Sequence, residues 1–156
     1  MPRNKMRRSD RIQYYRGAAD FWRAVIRLQQ QRCLTDQKES VAMRADLNFY
    51  VVAVQRLREV ARMTREKLQI QAAADALDLF DQRWPRLKEL RNLEEHVIGP
   101  TMNQPAGIWY FQEFVADLQN GGKVNYIVHV IDMEPDVEQL YHALCGLLTL
   151  EGMEDN

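Results

Sequence analysis

Arg91, Asn92 and His96 are the residues whose types and spacing could do chemistry. A guanidinium presents a fixed fork of donors to phosphate oxygens. An imidazole titrates near neutral pH, so it can take a proton and return it. Asn92 and His96 are four apart and share a helix face. Arg91 lies five before His96, about 140° round an ideal helix. The two converge on one group only if the Arg91 stem wraps round, the helix bends, or a second subunit supplies one partner. The same residues have a plainer reading. Arg91 can pair with Glu95, in the weaker basic-first orientation. His96 suits the C-terminal end of a helix, where the backbone dipole favours a cation. Asn92 can simply face water.

The segment that must carry these residues is Trp84-Pro85-Arg86-Leu87 through His96. Pro85 suits the first position of a helix, and residue 84, preceding proline, is pushed out of helical geometry. Leu87, Leu90, Leu93 and Val97 give the helix an apolar side, and Gly99-Pro100 stops it. Upstream, Leu68, Ala72, Ala76, Leu79 and Phe80 predict helix over 68–81. The third helix is therefore kinked or split at 84.

Two longer helices come first. From Asp10 to about Arg32, capped by Ser9, run two apolar stripes. One is Ile12, Tyr15, Ala19, Trp22, Ile26; beside it lie Tyr14, Ala18, Phe21, Val25, Leu28. Together they predict one wide buried face. Asp36 and Glu39 form a capping-box pattern ahead of a second helix to about Thr64, with the stripe Leu47, Tyr50, Val51, Val54, Leu57, Ala61. A break is expected near 64–67. After a loop at 99–107, residues 108–118 turn aromatic and β-branched, Asn120-Gly121-Gly122 signals a turn, and 124–131 alternate: a β-hairpin over about 108–131. Pro135 is expected to open the last helix, with Val137, Leu140, Tyr141, Leu144, Leu147 and Leu148 inward, ending near Gly152. The expected fold is mainly α, a four-helix up-and-down bundle with a small β-hairpin before the last helix. Residues 1–8 read as a loose basic arm, 9–150 as one domain and 151–156 as a frayed acidic tail.

A chain of 156 residues, 46% hydrophobic and 28% charged, has the composition of a soluble domain with a proper core. No apolar run is long enough to span a membrane. The basic N-terminus lacks the apolar stretch of a secretory signal. Cys33 and Cys145 fall in apolar helical contexts and read as reduced thiols of a cytoplasmic protein. The net charge of −1 hides an asymmetry: residues 1–32 hold nine basic and two acidic residues, and no Lys or Arg follows Lys123. Either the basic third offers a patch to a polyanion, or opposite ends attract each other within the fold or across a dimer. No cofactor or metal is expected. Glu39, Glu59, Glu66 and Glu113 could suggest a carboxylate-bridged metal. However, Leu93, Tyr126 and Gln139 stand three before His96, His129 and His142, so the Glu-x-x-His pattern of such bundles is absent. Phosphate loops and nucleophile elbows are absent too.

The stretch Leu90-Arg91-Asn92-Leu93-Glu94-Glu95-His96 resembles the R-x4-6-H motif of HEPN (higher eukaryotes and prokaryotes nucleotide-binding) domains, in which a polar residue often follows the arginine. The likeness extends to the bundle layout over about 10–150. More narrowly, Phe80 through His96 is similar to a group of largely actinobacterial proteins of uncharacterised function. The resemblance implies a dimeric, metal-independent endoribonuclease, a toxin or defence component with an antitoxin as conceivable partner. Its motif helices face each other across a groove. His96 is then the general base on a ribose 2′-OH, Arg91 neutralises the scissile phosphate, and Asn92 positions the phosphate or orients His96. A cyclic 2′,3′-phosphate would be the product. Two features depart from the pattern. Glu94 and Glu95 flank the histidine, where they raise its pKa and repel RNA if they face the groove, although Glu95 can instead orient the ring. Ile98 occupies the position where members regulated by a nucleotidyltransferase carry tyrosine. Many such domains have lost catalysis, so a non-catalytic interaction module is the alternative.

Overall fold

The computed structural model describes residues 6–35, 41–85, 87, 108–110 and 127–154. Among them the chain forms four helices: α1 (Arg8–Thr35), α2 (Val41–Leu68), α3 (Gln71–Arg83) and α4 (Val130–Glu154). Two short strands, β1 (Ile108–Tyr110) and β2 (Ile127–His129), pair antiparallel, Trp109 opposite Val128. The Asn120-Gly121-Gly122 turn expected to join them lies outside the described residues, as do the Asp36/Glu39 capping box and the 99–107 loop.

Polar pairs between helices fix their directions. Arg8 near the start of α1 donates to the Leu68 carbonyl at the end of α2, while Arg32 near the end of α1 meets Asp46 early in α2. Those two therefore run antiparallel. Arg58 holds Asp81, and Arg65 lies 3.8 Å from Asp78, so α2 and α3 are antiparallel. Gln30 meets Glu134, Arg23 meets Glu138 and Asp20 meets Tyr141, which sets α4 antiparallel to α1. Each helix packs on the next and α4 closes back on α1, an up-down-up-down arrangement.

The core lies along the shared axis. All six stripe residues of α2 are buried, with Ile12, Tyr15, Ala19 and Ile26 of α1, Leu77 and Phe80 of α3, and Met133, Val137, Leu140, Leu144 and Leu148 of α4. At about 25 cal/mol per Å² of apolar surface, this burial is the main stabilising term. One expectation fails here. The second α1 stripe is only partly in the core: Ala18 and Val25 are half-buried against it, whereas Tyr14, Phe21 and Leu28 are exposed. A helix wedged between two neighbours buries only the sector they cover, and α2 and α4 cover the Ile12–Ile26 side.

Several boundaries also differ. Ser9 lies inside α1, which already starts at Arg8, so it is not the cap. The break expected near 64–67 falls at Gln69-Ile70. There Gln69 takes the left-handed conformation (φ 58°), an uncommon one for a residue with a Cβ. Leu68 and Ile70 on either side are buried, and that anchoring holds the corner. Pro135 does not open α4. The helix starts at Val130, directly after β2, and Pro135 sits inside it. Pro135 cannot donate the bond its position would carry, but buried Met133 and Val137 fasten the flanking turns to the core. Val130 and Ile131 consequently belong to the helix and not to the strand, and α4 runs past Gly152 to Glu154.

Candidate functional site

The approach to the candidate motif is well anchored. Leu77 and Phe80 bury the inner face of α3. Trp84 follows with φ −126° and ψ 57°, outside helical geometry, as expected of a residue before proline. The Trp84 indole Nε1 donates to Asp136 Oδ2 of α4 at 3.0 Å. The Leu87 amide donates to the Trp84 carbonyl, and the Leu87 side chain is only 1% exposed. The chain is thus redirected at 84, tied to α4, and returned to the core at 87. Arg91, Asn92, Glu95 and His96 lie outside the described residues, together with Leu90, Leu93 and Val97.

Asp136 is the hinge of that anchoring. Its carboxylate is 11% exposed and also lies 3.7 Å from Arg83 Nη1, whose side chain is 65% exposed. Replacing Asp136 by alanine leaves the half-buried indole N–H without its acceptor and is expected to cost about 1–2 kcal/mol of unfolding free energy in urea titrations. Arg83→Ala, at a long solvent-exposed pair, should change it by less than about 0.5 kcal/mol.

Besides the ion pairs of α2 and α3 around Arg58, Arg62 and Arg65, the described residues hold a concentration of polar side chains on the seam between α1 and α4. Arg23 grips Glu138 with two donors, Nε to Oε1 at 3.0 Å and Nη2 to Oε2 at 2.7 Å. Arg27 Nε adds a third contact at 3.3 Å, and His142 Nε2 lies 3.5 Å from the same carboxylate. The Arg23 guanidinium also sits 4.3 Å over the Tyr141 ring. The Tyr141 hydroxyl donates to Asp20 at 2.7 Å, with Cys145 Sγ 3.8 Å from the same oxygen.

This cluster joins helices and is poorly disposed for catalysis. The hydrogen bonds from Arg23 hold the Glu138 carboxyl below its ordinary value, which makes it a weak base. The Tyr141 phenol is pushed up, chiefly by its bond to Asp20, and burial pushes the Cys145 thiol up, so neither is an activated nucleophile. The Glu138–His142 pair, four residues apart on one helix, is legible in the sequence. The seam also decides between the two readings of the charge asymmetry for part of α1: Arg23 and Arg27 are engaged by the acidic last helix.

A stability consequence follows from Glu138. Its folded pKa is lowered from 4.5, so the unfolded chain takes up the proton first as acid is added. The stabilisation is complete above about pH 4.5 and is lost as pH falls through the lower folded value. Glu59, lowered by its bond to Arg62, acts in the same sense. Wild-type unfolding free energy should be flat from neutrality to about pH 5 and then decline. Glu138→Gln should lie about 1 kcal/mol lower at neutral pH and decline less in acid, as read from denaturant midpoints.

The hollow between α3 and α4, lined by Ala76, Leu79, Phe80, Leu140 and Ala143 and polar only at Asp136 and Gln139, measures about 50 Å³. That is far below the roughly 300 Å³ at which small-molecule sites begin. Among the described residues no group of three or more His, Cys, Asp or Glu could hold a metal ion, and no helix is long and apolar enough to cross a membrane. No family model, no curated protein and no solved structure matches this chain.

Proposed function

We propose that this protein is a HEPN-like, metal-independent endoribonuclease that acts as a homodimer, with Arg91, Asn92 and His96 meeting RNA at the groove between subunits. The observation that carries the reading is the order of parts. A bundle helix ends at Arg83, Trp84 and Leu87 fasten the next turn to the core, and the Arg91-Asn92…His96 motif follows within nine residues. A site on so anchored a lead-in can hold an arginine and a histidine to the tolerance that phosphoryl chemistry needs. His96 removes the 2′-OH proton, the 2′-oxygen attacks phosphorus while Arg91 takes the charge that builds on the phosphate, and the P–O5′ bond breaks; the departing 5′-oxygen leaves as a hydroxyl with a proton from solvent, and the upstream strand keeps a 2′,3′-cyclic phosphate. The test is cleavage of mixed RNAs in excess chelator by wild type and His96→Ala. Cyclic-phosphate ends that appear only with wild type support the reading. Equal cleavage by both, or none by either, removes it.

A second reading is a non-catalytic interaction module on the same bundle. It is favoured by the seam described above, where Arg23 and Arg27 are spent on Glu138, and by the two acids beside His96. Both reduce the positive surface that RNA needs.

A further inference from the structure

We propose that the outward face of α1 is where a second copy of this chain docks, α1 against α1, antiparallel about a twofold axis through Phe21. Tyr14, Phe21 and Leu28 are 64%, 58% and 48% exposed, large and apolar, and spaced seven apart. A repeat of seven drifts only about 20° per step, so the three form one stripe roughly 21 Å long. Exposed aromatic and aliphatic residues in a continuous line mark an interaction surface, unlike the same residues scattered singly.

The stripe's own ends identify the partner. Asp10 stands four before Tyr14 and Arg32 four after Leu28, so both extend the same face. The pattern is symmetric about Phe21. In a twofold antiparallel pair residue i meets residue 42 − i, so Phe21 meets itself, Tyr14 meets Leu28, and Asp10 meets Arg32 twice over. A parallel pair would set Asp10 on Asp10 and Arg32 on Arg32, which repel. Arg32 has donors to spare, since its side chain is 56% exposed and its contact with Asp46 is a loose 3.5 Å. Between Tyr14 and Phe21 sits Gly17, where an added Cβ would meet nothing within 4 Å, so the partner helix can approach closely. A surface complementary to its own copy, in charge as well as in apolar spacing, fits that copy better than an unrelated protein. One helix pair covers less than the roughly 800 Å² per partner of a standard interface, which points to micromolar association.

The inference does not rest on the ribonuclease reading, and its test is read separately from RNA cleavage. Sedimentation equilibrium of the full chain over micromolar concentrations should show reversible self-association, to a dimer by this face alone and beyond a dimer where subunits also pair at the motif groove. Phe21→Asp should lose the α1 step of that association, leaving the monomer or the motif-groove dimer alone, while keeping the wild-type helical circular dichroism, because Phe21 is exposed and outside the core. Asp10→Arg and Arg32→Asp should each weaken the dimer by about tenfold, and the double swap should recover most of that loss. A wild type that stays monomeric, a self-association unchanged by Phe21→Asp, or a double swap no tighter than the singles would each overturn the proposal. The first outcome would assign the face to another occupant, such as residues 88–107 of the same chain.

Discussion

Replacing His96 by alanine is expected to lower RNA cleavage by about 10²–10⁴-fold, the range a positioned general base contributes. Arg91→Ala should cost about 10²–10³-fold, because the phosphate then develops charge with no guanidinium beside it. If both act on one phosphodiester, the double variant should be scarcely worse than His96→Ala, since members of one constellation do not lose rate additively. Arg91→Lys is the sharper probe. It keeps the charge and loses the fork, so a phosphate-gripping arginine is only partly rescued, whereas a surface arginine is replaced without effect. The pH profile carries a further sign. If Glu95 faces the imidazole it favours the protonated ring, so Glu95→Gln should move the acid limb of cleavage, where the general base loses its proton, to lower pH. The outcome that sinks the assignment is a multiple-turnover rate that none of these substitutions changes.

Leu57→Ala is expected to be strongly destabilising, costing about 2–5 kcal/mol. Leu57 is fully buried on the helix that faces α1, α3 and α4, so the void has no exposed edge through which to relax. Against a typical total of about 5–15 kcal/mol this is a large share, and melting should fall by roughly 5–15 °C. Phe49→Ala removes a larger apolar side chain from the same helix. Phe49 is exposed, however, and the change should stay within about 0.5 kcal/mol. Thermal and urea unfolding of the two variants side by side checks the contrast. A Leu57→Ala protein as stable as wild type would mean that α2 is not the centre of the bundle.

The candidate site was legible only as a motif. Its residue types and their spacing by five are local facts of the sequence, and so is the proline that turns the chain at 84. Whether Arg91 and His96 meet is a question of two helix faces or two subunits, and helical spacing alone puts them about 140° apart. The Trp84–Asp136 bond illustrates the same limit. The partners are 52 residues apart, and no periodicity relates them.

The sequence by itself determined that α2 buries Leu47, Tyr50, Val51, Val54, Leu57 and Ala61, because a single stripe at a 3.6-residue period leaves one way to face a core. It also determined the exit from helix at Trp84, through a clash between the proline ring and the preceding residue. Only the tertiary structure decided which residues of the two α1 stripes are buried, because both have helical spacing and only the neighbouring helices select the sector they cover. It decided that α2 breaks at Gln69 without a glycine, since buried Leu68 and Ile70 outweigh the local cost of a positive φ. It also decided that Pro135 lies within a helix, held by Met133 and Val137. The local cost is about 1–2 kcal/mol for a left-handed residue and about 3 kcal/mol for a proline inside a helix, and the two buried side chains that flank each offset it.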